Sequence, residues 1–90
     1  MKTDDKKQEN NADKRIREIC ELEIRLEKEG ENEDLLLRLG ELYHAVGDMR
    51  QALNKFNAVL KINSANKRAR TYVIMINNVF DFFYPDLINP

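Results

Sequence analysis

The hydrophobic residues of this chain recur at intervals of three and four positions, which is the spacing of one face of an α-helix. The first stripe consists of Ile16, Ile19, Leu22 and Leu26, widened by Cys20 and Ile24. Asp13 is a candidate N-cap for this helix, because its side chain can accept a hydrogen bond from the first turn. Gly30 is expected to end the helix, since glycine adopts the left-handed conformation there without strain.

The next two helices have clear start and stop signals in the sequence. Asn32 can cap a second helix that runs from about Glu33 to Ala45. Gly47 is placed to end it in a left-handed turn. Asp48 followed by Gln51 resembles a capping box, which predicts a third helix immediately after that turn.

The sequence NSAN at residues 63–66 breaks the third helix, and a fourth helix is predicted from about Lys67 to Phe83. Tyr84 precedes Pro85, and a residue before proline is pushed out of the helical region. No stretch shows the alternation of apolar and polar residues that is typical of a strand. The sequence therefore predicts an all-α fold of antiparallel helix hairpins.

The helical pattern divides the 90-residue chain into one domain with two tails. Residues 1–12 are almost entirely polar and are expected to be a flexible tail. The helical domain covers residues 13–84, and residues 85–90 form a C-terminal tail. Charged residues make up 34% of the chain and Gly and Pro together number only five. This composition favours a helical domain over a β or low-complexity one.

The lack of targeting signals and the single cysteine predict a cytoplasmic protein. No apolar run approaches the roughly 20 residues that cross a bilayer, so no membrane association is expected. The chain also begins without the apolar core of a signal peptide. Its one cysteine, Cys20, excludes an intramolecular disulfide and a cysteine-based zinc cluster, and it fits a reducing compartment.

Gly40 lies in the middle of the predicted second helix, where glycine costs about 1 kcal/mol relative to alanine. Close approach of another helix is the usual reason for such a glycine. Ala52 in the third helix is similarly small, so the two residues are expected to meet where these helices cross. Tyr43 and Phe56 would then fill the wider space beside the crossing.

Residues 33–66 resemble a tetratricopeptide repeat, whose unit is 34 residues long. Five residues fall on its characteristic positions at the right spacing, namely Leu39, Gly40, Tyr43, Ala52 and Phe56. The departures are Leu36 where Trp is common, Val59 where Ala is usual and Ser64 where Pro is usual. The resemblance implies one full repeat flanked by half-repeats at 13–32 and 67–84, in a right-handed superhelical stack of about four helices.

The ending NVFDFFYPDLINP also resembles the endings of small bacterial proteins of the tetratricopeptide type that contain a single repeat. That likeness implies no particular activity. It suggests only that the chain is a short protein in its own right.

The tetratricopeptide resemblance implies a concave groove that binds a segment of another protein. The corresponding positions in the second helix are Asp34, Leu37, Glu41, His44 and Ala45. Those in the fourth helix are Arg68, Thr71, Met75, Asn78 and Val79. Family members that clamp a carboxylate use Lys and Asn here, whereas this chain has Leu37 and Glu41. The resemblance therefore predicts a non-catalytic adaptor for an unidentified protein or peptide, without that clamp.

Two alternatives to the adaptor function remain open at this point. The fourth helix is apolar on more sides than the third helix can cover. The remaining apolar side chains can pair with a second copy and make a homodimer, through Val79, Phe80, Phe82, Phe83 and Tyr84. The basic residues around the connection between the third and fourth helices can contact nucleic acid, namely Lys61, Lys67, Arg68 and Arg70. The net charge of −1 argues against nucleic acid, because such binders are usually basic.

The charge is unevenly distributed, which bears on association. Residues 1–34 carry twelve acids and eight bases, a balance of −4, and residues 35–90 carry four acids and seven bases, a balance of +3. Opposite charge at the two ends can favour head-to-tail contact.

Nothing in the sequence predicts an enzyme. His44 is the only histidine, and Glu41 lies one turn before it, which fits a solvated helix pair better than a general base. No glycine-rich phosphate loop is present. One histidine, one cysteine and scattered acids give no metal-ligand spacing, so neither a metal nor a cofactor is expected.

Overall fold

The computed structural model of the chain describes residues 10–83. They form four α-helices, which are α1 (Asn11–Glu29), α2 (Glu33–Ala45), α3 (Met49–Ile62) and α4 (Lys67–Phe83). Within this range there is no strand, so the predicted all-α fold is confirmed. Tyr84 and the predicted tail at 85–90 lie outside the described residues, as do residues 1–9.

The helices pack in chain order, α1 on α2, α2 on α3 and α3 on α4. The connections between them are only three or four residues long. Contacting helices joined by such short loops form antiparallel hairpins. The predicted bounds of α2 and α4 agree with the structure.

The start of α1 differs from the prediction. The helix begins at Asn11, and its N-cap is Asn10, whose side-chain oxygen accepts a hydrogen bond from the backbone N–H of Asp13 at 2.8 Å. Asp13 therefore lies in the first turn of the helix instead of capping it. A carboxylate there is favourable, because the N-terminus of a helix carries partial positive charge.

The turn between α2 and α3 forms around Gly47, whose φ is +90°. The N–H of Gly47 donates to the carbonyl of His44, and the N–H of Asp48 donates to the carbonyl of Tyr43, the pattern of a Schellman motif. The Asp48 carboxylate accepts from the N–H of Gln51 at 3.2 Å. A complete capping box also needs the Gln51 side chain to accept from the N–H of Asp48. That N–H already donates to the carbonyl of Tyr43, so only the first bond of the box is formed.

Two adjoining clusters of buried side chains form the core. The larger one joins α2, α3 and α4 and consists of Leu36, Ala52, Phe56, Val59, Ala69 and Ile76. The smaller one joins α1 and α2 and consists of Ile19, Leu39 and Leu42. Leu26 and Tyr43 pack against both clusters, so the two are continuous.

The apolar stripe predicted on α1 is only half buried. Ile19, Leu22 and Leu26 pack against α2 as expected. Ile16 and Ile24 are instead 51% and 54% exposed, and Cys20 is exposed as well. The prediction that Cys20 packs inward as a small apolar residue is therefore wrong. It sits on the outer side of α1, about 100° around the helix from Ile19.

Gly40 makes room for an aromatic ring. A Cβ on Gly40 would lie 2.6 Å from Cε1 of Phe56, and the three nearest atoms all belong to that ring. The atoms nearest to Gly40 thus belong to Phe56, and Ala52, on the same helix as Phe56, is fully buried. The Phe56 ring also stacks on Tyr72 of α4, with centroids 4.4 Å apart and ring planes 7° from parallel.

A partly buried polar cluster joins the first three helices. Glu23 of α1 accepts a hydrogen bond from the Tyr43 hydroxyl of α2 at 2.5 Å. Lys55 of α3 lies 3.2 Å from the same carboxylate. Burial raises the pKa of Tyr43 far above its usual range, and the hydrogen bond to Glu23 raises it further, so the hydroxyl remains a donor.

A second polar cluster joins the start of α2 to the turn before α4. The side-chain amides of Asn63 and Asn66 donate to Glu33 at 2.8 and 2.6 Å. Asn66 also caps α4, because its side-chain oxygen accepts from the N–H of Ala69. The amide donors, first Asn66 and then Asn63, hold the pKa of Glu33 below its usual range.

Gly40→Ala should lower the free energy of unfolding by about 1–3 kcal/mol, because the new methyl group overlaps the Phe56 ring. Helix propensity alone would make the same change stabilising by about 1 kcal/mol. Urea unfolding of Gly40→Ala, Phe56→Leu and the double variant measures the coupling between the two sites. If overlap is the cause, Gly40→Ala is less harmful in the Phe56→Leu background, and an equal loss in both backgrounds would contradict it.

Glu33→Gln should weaken the dependence of stability on acidity. The folded pKa of Glu33 lies below its ordinary value of 4.5, so the ionised group stabilises the fold above that pH. This contribution is lost as the pH falls through the lower folded pKa. Urea midpoints from pH 7 to pH 3 should therefore fall less steeply for Glu33→Gln than for the wild type. Glu27→Gln, on the exposed surface of α1, is the control and should keep the wild-type profile.

Candidate functional site

Two side-chain contacts bring α2 and α4 together on one side of the molecule. The Arg68 guanidinium nitrogen Nε lies 3.1 Å from Oε2 of Glu41. The His44 ring meets the edge of the Tyr72 ring, with centroids 5.1 Å apart and planes at 67°. Glu41 and His44 are one turn apart on α2, and Arg68 and Tyr72 are one turn apart on α4. The two helices therefore lie side by side with the same direction.

We call the surface around these contacts the α2–α4 face. It includes the residues of the predicted groove, which are Asp34, Leu37, Glu41, His44 and Ala45 of α2 and Arg68, Thr71, Met75, Asn78 and Val79 of α4. Leu37, Glu41 and His44 are half-buried, while the other seven are exposed. The contacts unite the C-terminal half of α2 with the N-terminal half of α4.

The alignment of α2 with α4 places the two ends of the predicted groove far apart. Since Glu41 lies opposite Arg68 and His44 opposite Tyr72, the last residue of α2, Ala45, is level with about Val73. Met75 and the residues after it therefore extend beyond the end of α2. Asp34 and Asn78 consequently lie at opposite ends of the face, about 25 Å apart along the helices.

An exposed apolar row continues the face along α4. It consists of Met75, Val79 and Phe82, which follow one another at intervals of four and three and so share one side of the helix. Met75 and Val79 are each 43% exposed and Phe82 is 78% exposed. Met75 was predicted for the groove and Phe82 for self-association, so the structure merges two predicted surfaces into one. We call this row the α4 row.

The rest of the predicted self-association surface is placed differently. Phe80 is partly buried and packs against the larger core cluster, so it is a core residue and not a surface contact. Its position on α4 explains this, because it lies one turn after the buried Ile76. The side chain of Phe83 and all of Tyr84 lie outside the described residues.

The Glu41 carboxylate has an unsatisfied hydrogen-bond acceptor. Its side chain is only 17% exposed. Among the described residues its Oε2 atom has no hydrogen-bond donor, although it is buried. The nearby Arg68 supplies opposite charge, but the 3.1 Å approach lacks the angle of a hydrogen bond. A buried carboxylate oxygen without a donor is unfavourable for folding.

The basic residues near α4 divide between two sides of the helix. Lys67, Arg68 and Arg70 are exposed, and Lys67 and Arg70 are neighbours because they are three positions apart. Arg68 is instead directed toward the carboxylate of Glu41. This arrangement does not favour the continuous basic surface that nucleic acid requires.

Sequence reasoning missed two features of the surface. Tyr72 was not assigned to the groove, although an aromatic residue one turn after Arg68 was a usable signal. Ile16, Cys20 and Ile24 were assigned to the core, because periodicity alone shows that a stripe is apolar but not that it is covered.

An open cleft of about 630 Å³ also lies between α1 and α2, beside the hydrogen-bonded pair Glu18–Arg38.

Comparison of the chain with protein-family models, with curated proteins and with solved structures finds no match. None of the helices within residues 10–83 combines the length and apolar character needed to cross a membrane. In the same part of the chain, no three His, Cys, Asp or Glu side chains are grouped as metal ligands. The candidate site therefore rests on the contacts of the α2–α4 face.

Glu41→Leu should leave the free energy of unfolding unchanged or raise it by up to about 1 kcal/mol, because it replaces a buried carboxylate that lacks a hydrogen-bond donor. Glu23→Leu is the matched control. It leaves the Tyr43 hydroxyl and Lys55 without their acceptor and should cost about 1–3 kcal/mol. Urea unfolding compares the two variants. A loss of more than about 1 kcal/mol for Glu41→Leu would show that Glu41 supports the fold.

Proposed function

We propose that this chain is a non-catalytic protein-interaction module of the tetratricopeptide type, which holds a protein or peptide segment on the α2–α4 face. The observation that carries the proposal is the α4 row, in which Met75 and Val79 are exposed about 10 and 16 Å along α4 from Arg68, the partner of Glu41. Exposed apolar side chains in a contiguous row, bordered by polar groups, mark surfaces that bind other proteins.

The spacing of the α4 row suits a helical or extended segment that crosses it. Met75, Val79 and Phe82 span seven residues, or about 10 Å along the helix. Side chains at such intervals provide the anchors of helix-in-groove recognition. Methionine is unbranched and flexible, so Met75 can adapt its shape to different apolar partners.

The polar centre of the face favours particular groups in the bound segment. The exposed guanidinium of Arg68 attracts a carboxylate or a carbonyl oxygen. We therefore expect a segment with apolar residues on one side and a carboxylate nearby.

The proposal includes the absence of catalysis and a cytoplasmic location. His44 contacts the Tyr72 ring, and this edge-on packing supports a structural contribution to the face. A general base needs a reacting group within hydrogen-bond reach, and the described contacts of His44 supply none. Cys20, exposed on α1, is compatible with a reducing compartment.

Selection of peptides from a random displayed library tests the proposal. The enriched peptides should bind the wild-type chain and should lose about tenfold or more in affinity with Met75→Glu, because a charge replaces an apolar contact. Ile74→Glu is the matched control. Ile74 is the adjacent residue, it is 59% exposed, and it lies on another side of α4. The affinity of the Ile74→Glu variant for the enriched peptides should remain within about threefold of wild type.

The outcomes of this selection separate the face from the rest of α4. Equal losses for the two variants would mean that the peptides do not use the α4 row. No enrichment at all, or peptides that bind both variants as tightly as wild type, would contradict the proposed function. Thermal unfolding of each variant confirms that the fold is retained before affinities are compared.

A further inference from the structure

The outer side of α1 carries a second exposed apolar row. It consists of Ile16, Cys20 and Ile24, which are spaced by four residues and so lie along one side of the helix. All three are exposed. Single exposed apolar residues are common, but three in one row form a patch of the kind that marks a contact. We call it the α1 row.

The two rows lie on parts of the chain with opposite charge. The helix of the α1 row, residues 11–29, carries six acids and five bases, a balance of −1. The helix of the α4 row, residues 67–83, carries one acid and three bases, a balance of +2. Pairing two α4 rows would bring two basic regions together. Pairing an α4 row with an α1 row joins opposite charges instead, which favours association.

We propose that the α4 row of one copy docks against the α1 row of a second copy. This inference rests on the proposed function, because it names α1 of another copy as an occupant of the same face. The contact is head-to-tail, since it joins two different surfaces.

The dimensions of the two rows are compatible. Ile16 to Ile24 spans about 12 Å and Met75 to Phe82 about 10 Å at the rise of an α-helix. With the helices antiparallel, Ile24 meets Met75 and Cys20 meets Val79. Cys20 is the smallest member of its row, so the helices approach most closely at the middle of the contact.

The antiparallel arrangement also aligns the charges at one end. Acids outnumber bases at the C-terminal end of α1, where Glu27 and Glu31 are exposed and Lys28 is the base. They come beside the first turn of α4, where Lys67 and Arg68 are exposed. The partial charges at these two helix ends are opposite as well, so they add to the attraction.

A contact of this kind leaves one unused row at each end of a pair. The first copy still exposes its α1 row and the second its α4 row, so a third copy can add at either end. Association should therefore continue beyond a dimer as concentration rises. It should weaken as ionic strength rises, because the charges near the rows are exposed.

Complementation between two blocked variants tests the inference. Ile16→Glu/Ile24→Glu blocks the α1 row, and Met75→Glu/Val79→Glu blocks the α4 row, in each case at exposed positions. In sedimentation velocity across a concentration series, the wild type should form a growing series of species. Each variant alone should be a monomer. Their equimolar mixture should form a 1:1 pair and stop there, because one intact row of each kind remains.

Ile74→Glu serves as the control, since it adds the same charge to α4 away from the α4 row, and it should associate as the wild type does. Circular dichroism and thermal melting of every variant establish that α1 and α4 are folded. A folded pair of variants that does not combine on mixing would overturn the inference. So would an α1-row variant that still dimerises, which would indicate pairing between two α4 rows.

The peptide selection distinguishes this failure from a failure of the proposed function. A wild-type chain that stays monomeric at every concentration overturns the head-to-tail contact. If its selected peptides still lose affinity with Met75→Glu and not with Ile74→Glu, the α2–α4 face remains a binding surface for other proteins. If neither association nor peptide binding responds to the α4 row, both proposals are wrong.

Discussion

The contact of the Phe56 ring with Gly40 sets the arrangement of the last three helices. The ring of α3 lies against Gly40 of α2 and also stacks on Tyr72 of α4. A side chain at position 40 would displace the ring and with it the position of Tyr72. Tyr72 in turn contacts His44 on the α2–α4 face. The geometry of the candidate site therefore depends on one missing side chain, whose absence costs helix propensity.

Directional polar contacts add specificity to this packing. Apolar burial is not directional, so it does not by itself fix how helices are rotated against each other. Glu23 receives donors from two other helices, and Glu33 receives two side-chain amides from the turn before α4. Both carboxylates are fully engaged within the fold. Glu41 differs, because its buried oxygen lacks a donor among the described residues, and this leaves an unfavourable polar group at the proposed binding face.

Most of the exposed large apolar residues fall into two rows, and Ile62 and Ile74 lie outside them. The α1 row and the α4 row lie on the first and last helices of the described residues. A small helical domain gains little stability from apolar area that stays in water. Two such rows on parts of opposite charge are consistent with a chain whose surfaces are completed by contacts with other molecules.

Local chemistry in the sequence determined the helices, because capping side chains and left-handed glycines such as Gly47 act within a few residues. The sequence also marked the residues that became core or surface rows as apolar. Only the tertiary structure decided which of them are covered. It exposed Ile24, packed Phe80 partly against the core, and placed the Phe56 ring against Gly40. The physical reason is that periodicity describes one helix, whereas burial depends on the position and rotation of its neighbours.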